Sequence, residues 1–336
     1  MDGRDSQASY VKYLEKGIEY IQENPGKAAV AGVAGLWLLG DSEEQSQYDV
    51  QFVIWDVEHG DSMFVDSPET NIVVDLGRHQ NGFSPTNHLN ENGVENIDWL
   101  IISHPDKDHI RDIADFDNRY DISLYTRPEA AARYIRHRKE EAYPDDELYQ
   151  DIASKYLEFE NRLGSYHNQS IERGQLRVHE FSLSPDELRL TPVHELDSNE
   201  KGPSMNNLSL LNVFEYNGFK LVTLGDLEKD AIELLLERSD VKKALQGTDV
   251  LVAPHHGRDS SYSTELFDII SPDIVVISDS GGTEHSAAQK YSNQASGKRV
   301  KRRNGDSEVR NVVTTRTDGA IYLGADSDDD YRVTIE

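Results

Sequence analysis

The sequence predicts an α/β layered fold over residues 48–336, and two observations carry that prediction. Short apolar runs typical of buried strands alternate with amphipathic or charged stretches typical of helices, which is the pattern of sheets covered by helices. Residues with metal-binding side chains directly follow several of these runs, at the strand ends where α/β proteins place reactive groups. A chain of 336 residues is long enough to bury a sizeable core.

The predicted strands follow one another in a regular order. Apolar runs predict strands at 50–55, 62–65, 71–75, 99–103, 208–215, 219–224, 250–253 and 274–277. Asn217-Gly218 predicts a tight hairpin turn between two of them. A helix is predicted at 228–237, and residues of about 120–200 form a long acidic insert with a helical pattern.

Residues 1–47 are predicted to be a separate helical segment that ends in an acidic linker. Residues 10–23 carry apolar side chains at helical spacing, and Asn24-Pro25-Gly26 ends that helix. The apolar run 28–40 is shorter than the ~20 residues of a membrane span. A packed helical hairpin is the favoured interpretation, with a membrane anchor and an export signal as alternatives. We expect a cytoplasmic protein, with residues 28–40 as the candidate point of membrane association.

The composition excludes cysteine chemistry and gives the chain an extreme charge. Without cysteine there is neither a disulfide nor a thiolate ligand, so a metal site must use His, Asp, Glu or backbone oxygen. The net charge is −28, from 62 acidic and 34 basic residues spread along the chain. Spread charge favours a halophilic surface over an acidic face for a basic partner, because ~1 M salt shortens the Debye length to about 3 Å.

Four potential metal ligands stand together directly after the strand predicted at 99–103. A helix N-terminus rich in capping aspartates would explain one aspartate, but not two histidines at a strand end. We therefore interpret the cluster as a metal site. Its members are His104, Asp106, Asp108 and His109.

Two other predicted strands end in residues of the same kind. Asp226 follows the strand at 219–224, and the pair His255-His256 follows the strand at 250–253. Each has a simpler explanation when taken alone, as a helix cap or as packed and exposed histidines, but three strand ends meeting at one sheet edge favour a shared site. With His255 as the sixth ligand, the carboxylates and one hydroxide balance the charge of two divalent ions.

These segments resemble, in the same order, the motifs of the metallo-β-lactamase superfamily, and most closely the ComEC-type competence hydrolases and their stand-alone relatives. The resemblance covers about residues 50–325. In the metal motif 103–109, Asp106 replaces the more usual His, a variant typical of that branch. The other matching segments are 56–65, 71–77, 206–211, 225–226, 254–257, 284–286 and 317–321.

The resemblance implies an αββα sandwich, two mixed sheets with helices outside, and a binuclear metal-dependent hydrolase. It implies that Asp226 bridges the metals and that Asp108 both binds metal and orients the attacking hydroxide. His256 or His285 would donate a proton to the leaving group. The oxygen ligand Asp106 makes the site harder, so Mn²⁺ competes with Zn²⁺. The residues expected to hold the ligands in position are Asp61 and Asp75.

Three departures from the family pattern concern the substrate. Arg258 stands where the family usually has Ser, with Ser260 close by. Arg111-Asp112 replaces a Gly-Gly pair, and the acidic insert is additional. The residues expected to contact the substrate are Arg258, Ser260 and Asn206.

We expect a phosphodiester substrate, and nucleic acid in particular. Two adjacent divalent ions suit in-line displacement at phosphorus, and Arg258 could contact a phosphate with both guanidinium nitrogens. The run 298–303 places five cations in six residues, with Tyr291 nearby as a stacking platform. Two alternatives stay open: hydrolysis of a small ester, lactone or amide, and a non-catalytic interaction module on the same fold.

Overall fold

A computed structural model describes residues 48–336 apart from positions 81, 164–169, 190–192, 197–199, 204, 280, 282–285 and 327–329. The predictions for residues 1–47, including the apolar run 28–40, lie outside the described residues, as does the one for His285. Within the described part of the chain, no helix is long and apolar enough to cross a membrane.

The strands of the described residues make two large sheets and one hairpin. They are β1 Val50–Ile54, β2 Met63–Ser67, β3 Thr70–Val74, β4 Trp99–Ile101, β5 Leu124–Thr126, β6 Ser170–Arg173, β7 Leu176–Phe181, β8 Val193–Leu196, β9 Glu200–Pro203, β10 Leu211–Tyr216, β11 Phe219–Thr223, β12 Val250–Val252, β13 Ile274–Ile277, β14 Lys298–Arg302, β15 Ser307–Arg310, β16 Val312–Thr314, β17 Ile321–Ala325 and β18 Tyr331–Ile335.

One sheet has nine strands in the order β15-β14-β18-β17-β1-β2-β3-β4-β5, and the other has seven in the order β16-β13-β12-β11-β10-β7-β6. The strands β8 and β9 pair only with each other. Both large sheets are mixed, with parallel pairing at β3-β4-β5 and at β11-β12-β13-β16. Parallel neighbours end on the same edge of a sheet, so the segments that follow β3 and β4, and those that follow β11 and β12, emerge together.

Helices cover the outer faces of the sheets. They are α1 Pro85–Glu91, α2 Lys107–Ile110, α3 Ile113–Arg119, α4 Ala131–His137, α5 Glu147–Leu163, α6 Pro185–Leu188, α7 Lys229–Leu236, α8 Ser239–Leu245, α9 Thr264–Phe267, α10 Ala288–Ser292 and α11 Thr315–Asp318. A π-helical turn spans Arg138–Ala142, and 3₁₀ turns span Met205–Leu208, Pro254–Gly257 and Asp259–Ser261.

Alternation along the strands fills three apolar layers. In β1, Phe52 belongs to the core between the two sheets, where its ring meets Phe214 edge to face at 5.8 Å, while its neighbour Val53 belongs to the core under the outer helices. That outer core includes Phe116 of α3, and a matching core outside the other sheet includes Ile232 of α7. The layers therefore run helix, sheet, sheet, helix, and the αββα sandwich is confirmed.

The insert is only partly helical. The helix α5 carries its buried residues at spacings of three and four and packs against α2 and α3, which is how an amphipathic helix covers a sheet face. The helix α5 ends at Leu163, residues 170–181 form β6 and β7, which extend the seven-stranded sheet beyond β10, and the short helix α6 follows. The range 120–200 therefore supplies a helical cover and the edge strand β5 to one sheet, and the last two strands to the other.

Candidate metal centre

The first part of the centre is the turn between β4 and α2. Asp106 is the N-cap of α2, and its carboxylate accepts a hydrogen bond from Lys107 N at 2.8 Å. The histidines on either side, His104 and His109, are fully buried. The capping explanation considered for this cluster thus applies to Asp106, and it leaves two buried imidazoles and the half-buried Asp108 to be explained.

Asp75, at the end of β3, fixes the orientation of both imidazoles. One of its oxygens accepts hydrogen bonds from Ser103 Oγ at 2.6 Å and from His109 Nδ1 at 2.9 Å, and the other accepts from Ser103 N at 2.7 Å. Because the Ser103 hydroxyl donates to Asp75, it accepts from His104 Nδ1 at 3.2 Å. Both histidines therefore carry their proton on Nδ1 and direct the lone pair of Nε2 into the centre.

The second sheet contributes Asp226, which follows β11. Its backbone N–H donates to Ser209 Oγ at 3.0 Å. The preceding Gly225 has a φ of 51°, and a Cβ there would lie 2.9 Å from the Ser209 side chain and 3.0 Å from that of Ser103. Glycine is needed here because both the backbone conformation and the space exclude a side chain, and the tight turn brings Asp226 between the sheets.

His255 and His256, after β12, adopt a strained backbone conformation. Their φ angles are 49° and 55°, and Gly257 follows with 71°, so three consecutive residues are left-handed. Such a conformation costs of order 1–3 kcal/mol for each non-glycine residue and clusters at functional sites. The strain turns His256 inward: its Nδ1 donates to Ser278 O at 3.0 Å, and its Nε2 lies 3.6 Å from Asp108 Oδ2 and 3.5 Å from Asp226 Oδ2.

These segments converge on the carboxylate of Asp226. His109 Nε2 lies 3.4 Å from its Oδ1, while His104 Nε2 and His255 Nε2 lie 4.0 and 3.9 Å from its Oδ2. One group of four side chains brings its ligand atoms within 4.8 Å of one another, a spacing that suits a single ion. The members of that group are Asp108, His109, Asp226 and His256.

The hydrogen bonding of these atoms fits a metal. Within the described residues, the buried Nε2 atoms of His104, His109 and His256 and the Oδ1 of Asp226 have no hydrogen-bond partner. Each buried polar atom left in this state costs about 1–3 kcal/mol. In their neutral form, three imidazole nitrogens that face a carboxylate oxygen make up the donor set that divalent transition metals bind.

The protonation of the centre agrees with this interpretation. Burial lowers the pKa of His104 to about 3 and that of His255 to about 4, so both are neutral ligands at neutral pH. Burial alone would lower the pKa of His109 and His256 as well, but Asp226 and the neighbouring carboxylates raise it well above the ordinary value. The metal-free centre is therefore held by imidazolium–carboxylate pairs, and a bound cation would replace those protons.

Two glycines let the loop after β1 approach the start of α2. Gly60 has a φ of 120°, and a Cβ there would overlap the Asp108 carbonyl oxygen. A Cβ on Gly77 would lie 2.6 Å from Asp61 O and 2.9 Å from Asp108 O. This packing places the Asp61 carboxylate 3.8 Å from His256 Nδ1, and burial raises the pKa of that carboxyl. Asp61 thus lies behind the metal-facing side chains, and it shares the neighbour His109 with Asp75.

The structure distributes the expected ligands unevenly. Asp106 lies outside the four-residue group; besides capping α2, its carboxylate is 3.9 Å from Arg138 Nη1. His256, which the sequence led us to expect as a proton donor, lies inside the group, and His255, expected as a ligand, lies at its edge. The geometry therefore supports His256 as a ligand.

Two of the expected substrate contacts lie beside the centre. Asn206 Nδ2 is 3.4 Å from His255 Nε2, and the half-buried Arg258 places Nη2 3.5 Å from His59 Nε2. Ser260 is exposed on the 3₁₀ turn that follows Arg258. These positions leave the roles of all three as predictions.

The basic run lies far from the centre in the sheet order. It forms β14, which is six strands away from β4 in the nine-stranded sheet. Arg302 pairs with Glu308 at 3.1 Å, and Lys298 Nζ lies 3.6 Å above the ring of Tyr331. The expectation that Tyr291 is a stacking platform is wrong, because its ring is 1% exposed and packs edge to face on Tyr262 in the outer core.

Two residues of the site were missed from the sequence. His59 is 41% exposed, its ring centroid is 4.5 Å from that of His256, and its Nε2 is 3.6 Å from Asp108 Oδ2. The sequence did offer a signal for His59, since this histidine directly precedes Gly60 in the matching segment 56–65. Arg138, in the insert, reaches Asp106 and had no signal, because an arginine in a charged helical stretch looks like a solvated one.

Buried histidines and aspartates at the strand ends of two facing sheets define a metal-binding protein of the αββα class. The family model of the metallo-β-lactamase superfamily matches residues 55–278, more than half of the chain. The chain therefore belongs to the metallo-β-lactamase superfamily.

Individual relatives are more distant. ComE operon protein 3 of Bacillus subtilis is 24% identical over 242 residues, which cover 66% of this chain and 27% of that protein, so the chain spans about a quarter of that relative's length. The metallo-β-lactamase fold protein YhfI of B. subtilis is similar at 12% identity, 61% and 70% coverage and a TM-score of 0.32. Zn²⁺-bound PqqB of Methylobacterium extorquens is similar at 12% identity, 60% and 71% coverage and a TM-score of 0.37.

Proposed function

We propose that this chain is a hydrolase of phosphodiesters, and of nucleic acid in particular, that uses two divalent metal ions. The observation that carries the proposal is the convergence of imidazole groups from two strand ends, those of β4 and β12, on the single carboxylate of Asp226, which follows a third strand, β11. A shared carboxylate with ligand atoms near both of its oxygens is the arrangement expected where two ions lie side by side.

The ligands divide between two positions. One ion would be held by Asp108, His109 and His256, and the other by His104 and His255, with Asp226 common to both. Asp106 stays the proposed oxygen ligand of the second ion and makes Mn²⁺ competitive with Zn²⁺. When bound, such ions supply Lewis-acid stabilisation of the phosphoryl oxygens and activate a water for attack.

The chain's own residues orient these ligands and receive the substrate. Asp75, through Ser103, keeps two imidazoles in the tautomer that ligation needs, and Ser278 O does the same for His256. On the open side of the centre, His59 and Arg258 are partly exposed. His59 lies close to Asp108, and Arg258 lies close to His59. Both side chains can therefore donate hydrogen bonds to non-bridging phosphate oxygens.

The charge at the open side supports an anionic substrate. The net charge of the chain is −28, yet Arg258 and Lys107 flank the centre. A phosphodiester carries a negative charge that these cations attract, whereas a neutral lactone or amide gains nothing from them.

A substrate panel tests the proposal. The purified chain, loaded with Mn²⁺ or Zn²⁺ in molar KCl, is incubated with single- and double-stranded DNA, RNA, bis(p-nitrophenyl) phosphate and a lactone. Phosphodiester cleavage is expected, and the Asp108→Asn variant should lose at least about 100-fold in kcat because it removes a ligand next to the reacting group. Asp121→Asn, an exposed change of the same chemistry, is the matched control.

Two results would contradict the proposal. Turnover of the lactone without any phosphodiester cleavage would identify a different substrate class. Cleavage of nucleic acid that survives unchanged in Asp108→Asn would show that the activity belongs to a contaminating nuclease.

A further inference from the structure

A pocket of about 370 Å³ opens beside Asp108, between the start of α2 and the insert. Three permanent cations line it, Lys107 and Arg111 from α2 and its C-terminal end and Arg138 from the insert, beside the carboxylates of Asp106 and Asp108. We call it the insert pocket. Arg111 belongs to the pair that replaces the family's Gly-Gly, so two departures from the family pattern meet in one place.

Arg138 is built into the wall of this pocket. It is the first residue of the π-helical turn between α4 and α5, a type of turn that is frequent at functional sites. The side chain is only 8% exposed; Nη2 donates to Tyr143 OH at 3.0 Å, and the guanidinium lies 5.2 Å from the centroid of that ring. Its Nε is buried and, among the described residues, has no hydrogen-bond partner.

A buried guanidinium with an unused donor calls for an anion. The only carboxylate paired with Arg138 in the described residues is that of Asp106, at 3.9 Å, which is too long for a hydrogen bond. A phosphate oxygen in the pocket would meet Arg138 together with Lys107 and Arg111.

Another part of the pocket wall is aromatic. Tyr143 is half-buried at the pocket, and the buried Tyr149 packs against it, with ring centroids 4.7 Å apart and planes inclined by 39°. A volume of about 370 Å³ lies in the range of pockets that enclose a small organic ligand. Cations next to the ring of Tyr143 suit a phosphate that carries a planar base, as in a nucleotide.

We propose that the insert pocket binds the nucleotide next to the scissile phosphodiester and thereby selects substrates with a second phosphate. The position relative to the scissile bond rests on the proposed function, whereas the binding of a nucleotide does not. The insert then acts as a specificity element of this chain, and Arg111 and Arg138 are its phosphate contacts.

Calorimetric titration tests the binding step without turnover. Thymidine 5′-monophosphate and inorganic phosphate are titrated into the full chain in molar KCl with a chelator present, for the native chain and for Arg111→Gln, Arg138→Gln and Arg136→Gln. Arg136 is exposed on α4, two residues before Arg138, so its variant is the matched control for charge. The first two variants should bind the nucleotide about 10- to 100-fold more weakly, the range of a charge-assisted hydrogen bond.

Arg111→Gln keeps the test decisive if Arg138→Gln fails to fold, because Arg111 is only half-buried. Nucleotide binding that is equal in all three variants would overturn the proposal. Inorganic phosphate that binds as tightly as the nucleotide would overturn the proposed stacking of a base on Tyr143.

Kinetics separate this inference from the proposed function. For a 5′-phosphorylated thymidine dinucleotide, Arg111→Gln should raise KM about 10- to 100-fold, while for bis(p-nitrophenyl) phosphate, which has one phosphate, KM should change less than about twofold. Equal changes for both substrates would overturn the pocket's role. If neither substrate is cleaved but the arginines are still needed to bind the nucleotide, the proposed function fails and the binding site stands.

Discussion

Replacing Asp75 with asparagine probes how the centre sets the tautomers of its histidines. One oxygen of Asp75 accepts from both Ser103 Oγ and His109 Nδ1, and the other accepts from Ser103 N. Asparagine has one acceptor and one NH₂ group, so in either orientation a donor faces a donor. The backbone at position 75 is left-handed, with a φ of 58°, and asparagine tolerates that conformation better than most residues. The perturbation is therefore confined to the hydrogen bonds.

The expected magnitude follows from the partners lost. A buried donor without an acceptor costs about 1–3 kcal/mol in the free energy of unfolding. Loss of the partner that orients a ligating histidine lowers metal affinity by about 10- to 100-fold, which corresponds to about 1.4–2.8 kcal/mol. Metal affinity is measured by competition with a chelator in molar KCl, and unfolding is followed by circular dichroism.

Asp249→Asn is the matched control. The Asp249 carboxylate accepts from Lys220 N at 2.7 Å, just before β12, at the opposite end of the sheet from the centre. It should lose stability and keep its metal affinity. Native affinity in Asp75→Asn would refute the tautomer argument, and an equal loss in both variants would show that affinity only follows stability.

Four further outcomes are expected. Gly60→Ala should lower stability by more than about 1 kcal/mol and weaken metal binding, since its Cβ would overlap the Asp108 carbonyl; a native unfolding midpoint would contradict the close approach. Metal binding should strengthen with rising pH and release protons, detectable by calorimetry in buffers of different ionisation enthalpy, because the pKa of His109 and His256 is raised in the metal-free centre. Because a raised pKa means that the folded state binds these protons more tightly than the unfolded state, the two imidazoles stabilise the metal-free fold below pH 6.5. That stabilisation is lost as the pH rises through their raised pKa. The chain should be folded in ~2 M KCl and lose structure in low salt, and unchanged circular dichroism on dilution would support the acidic-interface alternative. Deleting residues 1–47 should cause aggregation if run 28–40 is packed, whereas release of active enzyme from a membrane fraction would identify an anchor.

Eight of the sixteen strands in the two large sheets were predicted from the sequence, because both signals involved are local. Apolar runs set the strands, and a strand such as β13 was placed with its full bounds, Ile274–Ile277. The residues at strand ends could be grouped because parallel strands end together. The turn at Asn217-Gly218 was equally readable, since both residues have the positive φ that a tight hairpin requires.

The predictions that failed depended on the direction of a side chain or on its distance from residues far away in the sequence, and no local pattern encodes either. His255 and His256 are adjacent, and only their left-handed backbone decides which one faces Asp226. Tyr291 is an aromatic residue near a basic run in the sequence, but α10 turns it into the core. Arg138 comes to Asp106 only because the helices of the insert fold back over α2.

The centre is made from both halves of the sandwich: His104, Asp108 and His109 leave the nine-stranded sheet, and Asp226 and His256 leave the seven-stranded one. A shared ion would therefore hold the two sheets together in addition to the apolar core between them. Separating the sheets and emptying the centre become one event, so the ion closes a loop of more than a hundred residues in the chain. Protease resistance of the whole domain should accordingly report metal occupancy, even at cleavage sites far from the centre.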